Sequence, residues 1–514
     1  MKKKNSIFTL LLLFAFVSLC YLPVSYVKTN VGSDEKQKDL NLNILTTPKS
    51  SGYDVTEKWN YTSNYEVSVV AVSADGNYMA VGVTYVLSKG GDPSHDIFFF
   101  NTSDHNGIPM WSYDIGKPIK SISISANGKY IIASCWGEAY LFNSTVPSPG
   151  EEKEHIWFVD CGNIITSVDI SADGKYIVLG YNEMAIALYN NSYASTGYDK
   201  TGEHLWIYYT NYGVLSVAIS ADGKYVAAGT EYPVTRDADP MDQIFFLNTT
   251  DYILGDLQMP MWSFDAGCSI DSIAISAYGE YIVAGSYDGR VAYLLNSTVP
   301  EPGEAKSEVW YVNWSFEKIS TVDISADGKH IVVGVDASSE PPKKGGIFLY
   351  DNSASTNKKL EYRWRYQTKG IVNSVAITAL GEYIVAGTDY NPDTGDDGEN
   401  TVFLFNNTDY TLGASHNPIW FFNTSNDVNS VSMSAWGNYI AAGGDYEING
   451  RTYLFYHARP IPRIISGNGG GGGGDDDGEE AIPFGNYYLL FTAIAVASLV
   501  IITKRKAIFS KKLN

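Results

Sequence analysis

The chain has 514 residues, 45% of them apolar and only 18% charged, which supplies enough apolar material for a sizeable core and excludes a wholly disordered chain. Its formal charge of −21 and pI near 4.7 argue against nucleic-acid binding, which needs Lys and Arg clustered against phosphate. Four cysteines in this length exclude a disulfide-stapled scaffold.

At the N-terminus MKKK precedes an apolar run from Ile7 to Val24. A basic stretch before a short apolar one is the layout of a secretory signal. Ser18 and Cys20 suit a cleavage site, and a retained helix is the alternative, so residues 1–27 are expected to be a signal peptide or signal anchor. Residues 28–54 read as a linker.

Residues 55–463 are filled by one self-similar unit. Its motif is plainest in SVDISADGKYIVLG (167–180), and copies start near 68, 121, 167, 216, 272, 321, 374 and 430. Alternation in SVxIS predicts a strand, A. Asp-Gly or Asn-Gly between two such runs predicts a hairpin into a strand B, because Gly accepts φ > 0. A strand C ends in Asn, as in IFFFN (97–101), YLFN (140–143) and VFLFN (402–406). A strand D carries one Trp per unit: Trp59, Trp111, Trp157, Trp206, Trp262, Trp310, Trp364 and Trp420. Four-stranded units of ~40–50 residues are the blades of a propeller. Trp59 precedes the first unit, and the eighth has no D strand after Phe455. The strand around Trp59 is therefore expected to complete the last blade. The expected fold is all-β, an eight-bladed β-propeller of four-stranded blades with N-to-C strand closure.

Beyond the repeats, GNGGGGGGDDDGEE (467–480) lies in a Gly/Asp-rich linker, residues 464–483. Residues 484–503 are 20 residues without a charge, the length of a transmembrane helix. Lys504, Arg505 and Lys506 open a basic tail, 504–514, which is expected in the cytoplasm. Both ends then put the repeats outside the cell, on a single-pass membrane anchor.

Nine Asn-x-Ser/Thr sequons fall in that region: Asn60, Asn101, Asn143, Asn190, Asn248, Asn296, Asn313, Asn406 and Asn423. In an exported chain they are candidate glycosylation sites, and for any single one an Asx turn at a strand end is an equal alternative. Six start C–D loops, so glycans would crowd the face of A–B turns and C–D loops. The face of B–C and D–A loops would stay bare for an extracellular protein or glycan partner. In DYNPDTGDDGEN (389–400), Asp389, Asn391, Asp393, Asp397 and Asn400 fall at alternate positions that suit a Ca²⁺ loop. Thr394 stands where the sharp turn needs Gly, and a bidentate Glu is missing at the end, so a solvated acidic loop is the competing reading. No other metal or cofactor is indicated. The seven His are scattered, and Cys135, Cys161 and Cys268 are isolated and expected to be buried thiols. An enzymatic role is disfavoured.

The hairpin motif resembles that of WD-repeat propellers over about four-fifths of the chain. The preceding Gly-His is missing, and strand C ends in Asn instead of Trp-Asp. MWSYDIG (110–116) resembles the repeats of quinoprotein dehydrogenases (PQQ-like repeats), although the adjacent cysteines used there have no counterpart. Pro483-Phe484-Gly485 before the apolar run resembles the C-terminal sorting signals of archaeal surface proteins, in altered order. These resemblances imply a membrane-anchored surface glycoprotein that works as a binding or adhesion module. The alternatives are an extracytoplasmic quinoprotein-like enzyme or solute binder, and a structural cell-envelope component.

Overall fold

The computed structural model describes residues 54–458, apart from 85–95, 150, 193–196, 233–241, 251–256, 303, 316, 338–344, 353–361, 390–400, 409, 425 and 447–448. The apolar runs at 7–24 and 484–503 lie outside the described residues. Among the described residues all regular structure is β, in four-stranded units paired in the order A-B-C-D. Unit 1 gives the plan: Glu66–Val72, Tyr78–Thr84, Ile97–Asn101 and Trp111–Tyr113, each antiparallel to the next. Units 2 and 3 share one sheet, because Trp157–Ile170 runs on as D of one and A of the other. Asp54–Ser63 lies antiparallel to Asn449–Ala458, the C strand of the eighth unit, with Trp59 opposite Leu454.

The A–B hairpin follows from its side chains. In unit 3, Ser171 Oγ donates to Asp173 Oδ1 (2.6 Å) and accepts from the Tyr176 amide (3.0 Å). Asp173 Oδ1 also accepts from the Lys175 amide, and Gly174 takes φ +72°. The motif Ser-Ala-Asp-Gly-Lys-Tyr is thus a closed turn, tied by the Ser171 hydroxyl and one Asp173 carboxylate oxygen. Glycine is needed for a second reason. A Cβ on Gly128 would stand 2.2 Å from Tyr78 Cδ2 of the preceding unit, and one on Gly174 would stand 2.4 Å from Tyr130 Cδ2.

The serine that opens the motif joins neighbouring units. The amide of Val217 donates to Ser167 Oγ, that of Ile273 to Ser216 Oγ and that of Val322 to Ser272 Oγ, at 3.0–3.2 Å. The same bond joins the eighth unit to the first, from the Val70 amide to Ser430 Oγ (3.1 Å). The inner A strands would otherwise leave a row of unpaired amides. The turns are linked as well: Ala126 donates to Ala172 O, Ala172 to Ala221 O and Ala435 to Ala74 O.

The core lies between consecutive sheets. Trp157, Trp206 and Trp364 are fully buried, each against aliphatic side chains of its own and the next unit. Three outer D strands are covered by C–D loops of the following unit. Tyr198–Asp199 pairs with Trp157–Phe158, Ala414–Ser415 with Trp364–Arg365, and Leu257 bridges to Ile207. This cover withdraws exposed edges from pairing with other chains.

Candidate binding face

The asparagines that end the C strands carry a recurring device. Asn143 Oδ1 accepts the Thr145 amide (3.1 Å), an Asx turn. Lys153, ten residues on, sends its ammonium to Asn143 O, Asn143 Oδ1 and Thr145 O, each at 2.8 Å. The same ammonium lies 4.8 Å above the Trp111 ring of the preceding unit. Lys200 repeats this on Asn190 and Trp157, and Lys306 on Asn296 and Trp262. Gln258 and His416 take the place on Asn248 and Asn406. Burial pulls Lys153, Lys200 and Lys306 down to about 8. Asn101 makes the Asx turn as well, to the Ser103 amide. These partners lie ten residues along the sequence from each Asn. The readable signal is a Lys, Gln or His four residues before the unit's Trp in four of the five cases. Recurrence of the asparagine therefore has a structural cause, shared by five of the sequons with an i+10 partner. Asn406 is buried, and its Nδ2 donates to Thr408 Oγ1 (2.7 Å). Asn60 and Asn313 are exposed on outer strands, and Asn423 follows the D strand Trp420–Phe422.

Of the expected Ca²⁺ loop, Asp389 accepts from Asn373 Nδ2 (2.5 Å), whereas Asn391, Asp393, Asp397 and Asn400 lie outside the described residues. Among the described residues no group of three His, Cys, Asp or Glu could hold a metal ion. Cys135 and Cys268 are buried, but Cys161 is only half-buried, because it sits on the long strand at the Gly162 kink, where its thiol donates to Gly137 O.

Exposed apolar side chains stand on the face of B–C and D–A loops as well as on the A–B turns, where Tyr278, Leu380 and Trp436 are exposed. Trp136, the first residue of strand C in unit 2, is 54% exposed, with Lys120 Nζ 5.8 Å from its ring. Met184, in the B–C turn of unit 3, is 48% exposed. Its carbonyl accepts the Thr210 amide (2.8 Å). Tyr209 ends the D strand of that unit, opposite Ala185, and Tyr232 follows strand B of unit 4; both are exposed. Met184 has φ +65°; only Arg290 shares this region among described residues other than glycine. A long apolar side chain in the left-handed region costs ~1–2 kcal/mol that Gly would not. Trp136 could have been singled out in the sequence, since it lies outside the fixed Trp position of each unit. Met184 carries no such mark.

Acidic groups stand beside this patch. Glu231 Oε2 lies 3.3 Å from where a Cβ on Gly213 would be, and Asn182 O lies 2.7 Å from the same point. Tyr232 donates its amide to Ser269 Oγ (2.9 Å), two residues from Asp271. Burial, and then the charges of Asp288 and Glu231, push the Asp271 carboxyl up, while the Tyr287 amide opposes them. Across the seam between the eighth and first units, Asn429 Nδ2 donates to both Glu66 Oε1 (3.0 Å) and Asp445 Oδ1 (3.1 Å). Burial and the neighbouring Asp445 push Glu66 up to about 7.

One family model, described as WD domain, G-beta repeat, matches residues 259–292. Comparison with curated proteins gives no match. Among solved structures, Chaetomium thermophilum Sqt1, bound to the N-terminus of the ribosomal protein L10, is 14% identical, with a TM-score of 0.54 over 80% of this chain and 99% of that one. The β-propeller domain of Myceliophteria thermophila Cps50 (Swd1) is 13% identical, with a TM-score of 0.45 over 78% of this chain and 99% of that one. The repeat match and the likeness to Sqt1 in fold support a WD-repeat β-propeller.

Proposed function

We propose that the chain is an eight-bladed WD-type propeller that serves as a protein-interaction scaffold, with the B–C and D–A loop face across units 2–4 as its docking surface. Exposed Trp, Met and Tyr side chains on one face, rimmed by polar groups, are the composition of a protein-binding patch. The observation that carries the reading is Met184, an apolar side chain held exposed at the left-handed last residue of its B–C turn, the place that Arg290 takes in unit 5 with the same bond to its carbonyl. The repeat match supports the interaction class, and Sqt1, a protein of similar fold, holds a segment of a partner protein. The eight-fold count is supported by the repeat motif and by the bonds between the eighth and first units. A surface placement is supported by the uncharged run 484–503 and the basic residues after it.

The test is quantitative capture of partner proteins from extracts of the source cells by the full chain and by a Trp136→Ala/Tyr209→Ala variant. Both side chains are exposed, so the fold should hold, with a melt within a degree or two of the parent. Capture should fall by at least about tenfold, as for loss of two aromatic hot spots. Undiminished capture by the variant would remove this patch as the docking surface.

A further inference from the structure

Resting on that reading of the face, we infer that its occupant is a cationic peptide segment, whose aliphatic or aromatic side chains seat on Trp136, Met184 and Tyr209 and whose Lys or Arg side chains reach Glu231, Asp271 and Asp288. Trp136 pairs with Ile164, whose carbonyl accepts the Asn182 amide (2.9 Å). Met184 is two residues from Asn182, whose carbonyl approaches Gly213, and the Glu231 carboxylate approaches the same glycine. Tyr232, next in sequence to Glu231, is tied by its amide to Ser269, and Asp271 follows. Asp271 Oδ2 accepts the Tyr287 amide (2.8 Å), which brings Asp288 to the same rim. Apolar anchor and carboxylates therefore form one surface.

Among the described residues none of these three carboxylates forms an ion pair, although Lys–Asp and Lys–Glu pairs occur elsewhere on the molecule. Repulsion of Asp271 by Asp288 and Glu231 is a cost that an arriving cation relieves, and the partial burial of Asp271 strengthens the attraction there. Exposed Trp and Tyr rings add a second attraction for Arg and Lys through their faces. Lys120 over Trp136 and Lys318 over Tyr287 (4.2 Å) already use such contacts within the chain. An anionic or neutral segment would gain the apolar contacts alone and would meet the acidic rim unpaired.

The experiment is fluorescence anisotropy of the full chain with a labelled peptide of alternating Arg and Leu, beside its Glu and Leu counterpart. The Arg peptide should bind and weaken as salt rises, and the Glu peptide should not bind. The variant Glu231→Gln/Asp271→Asn/Asp288→Asn should weaken the Arg peptide by at least about tenfold. Removing the same charge from a C–D loop, with Glu151→Gln/Glu152→Gln/Glu154→Gln, should change it less than about twofold. Equal loss in both variants, or none in the first, overturns the inference, because attraction to an acidic chain as a whole would then explain the binding. If the rim variant melts early, Glu231→Gln alone carries the test, with a loss of about threefold expected and no loss contrary to the inference. Loss of partner capture in the Trp136→Ala/Tyr209→Ala variant, together with no binding of the Arg peptide, leaves the docking surface standing and removes its cationic occupant.

Discussion

A chain without residues 54–63 should lose its cooperative fold and most of its soluble yield. That strand pairs along its whole length with Asn449–Ala458, and its removal bares one complete β-edge. The strand also joins units that are not otherwise covalent neighbours. Trp59 is 6% exposed, and its ring lies 5.0 Å from Phe100 of the first unit, while Tyr61 lies 5.1 Å from Phe98. Trp59→Ala alone should cost ~3–5 kcal/mol, the range for truncating a buried Trp. In a thermal melt it should lower Tm by several degrees, and the excised chain should show no sharp transition. A melt of the excised chain within a degree or two of the parent would mean that the ring does not depend on this strand.

The second large effect is expected at Gly128. Alanine there meets two penalties. The φ of +67° costs an L-residue ~1–2 kcal/mol, and the new Cβ would press into the Tyr78 ring, which is itself stacked on Phe99 at 5.4 Å. Overpacking of this kind adds ~1–3 kcal/mol. Gly128→Ala should therefore lose ~2–5 kcal/mol in denaturant unfolding. Gly116 is the comparison: it has φ +73° with nothing within 4 Å of an added Cβ, so Gly116→Ala should lose only the backbone part. Equal losses at both positions would show that close approach of the neighbouring tyrosine contributes nothing.

Much of the architecture was legible because its determinants are local. Ser171, Asp173, Gly174 and Tyr176 make their turn within six residues, so the motif reads the same in the sequence and in space. The strand around Trp59 could be assigned by subtraction, since one unit lacked its fourth strand. What escaped was written across units. Lys153 meets Trp111 only when the sheets are stacked, and the A-strand serines of units 2 to 5 and of unit 7 find their amides 47–57 residues on. The continuous strand Trp157–Ile170 escaped for another reason: Asp160-Cys161-Gly162-Asn163 reads as a loop, and pairing against Trp136–Asn143 resumes at Ile164 across a register shift.

The candidate face was legible only in outline. Loop order identified which end of the sheets would be free of the asparagine-led loops, but not which residues would stand out there. Met184 looks ordinary in YNEMA until its backbone angle is seen, and Glu231 and Asp271 become neighbours only through Gly213 and Ser269.

The most direct measurement is made on Met184→Gly, by melting the full-length variant and measuring its partner capture in parallel. Relief of the left-handed backbone, less the entropy glycine adds to the unfolded chain, should raise stability by ~0.5–1 kcal/mol. Capture should fall by at least about fivefold, because the exposed thioether is the central contact of the patch. A rise in Tm with weakened capture is the result this account predicts. A rise in Tm with capture unchanged would contradict it, since the strained methionine would then serve no interaction.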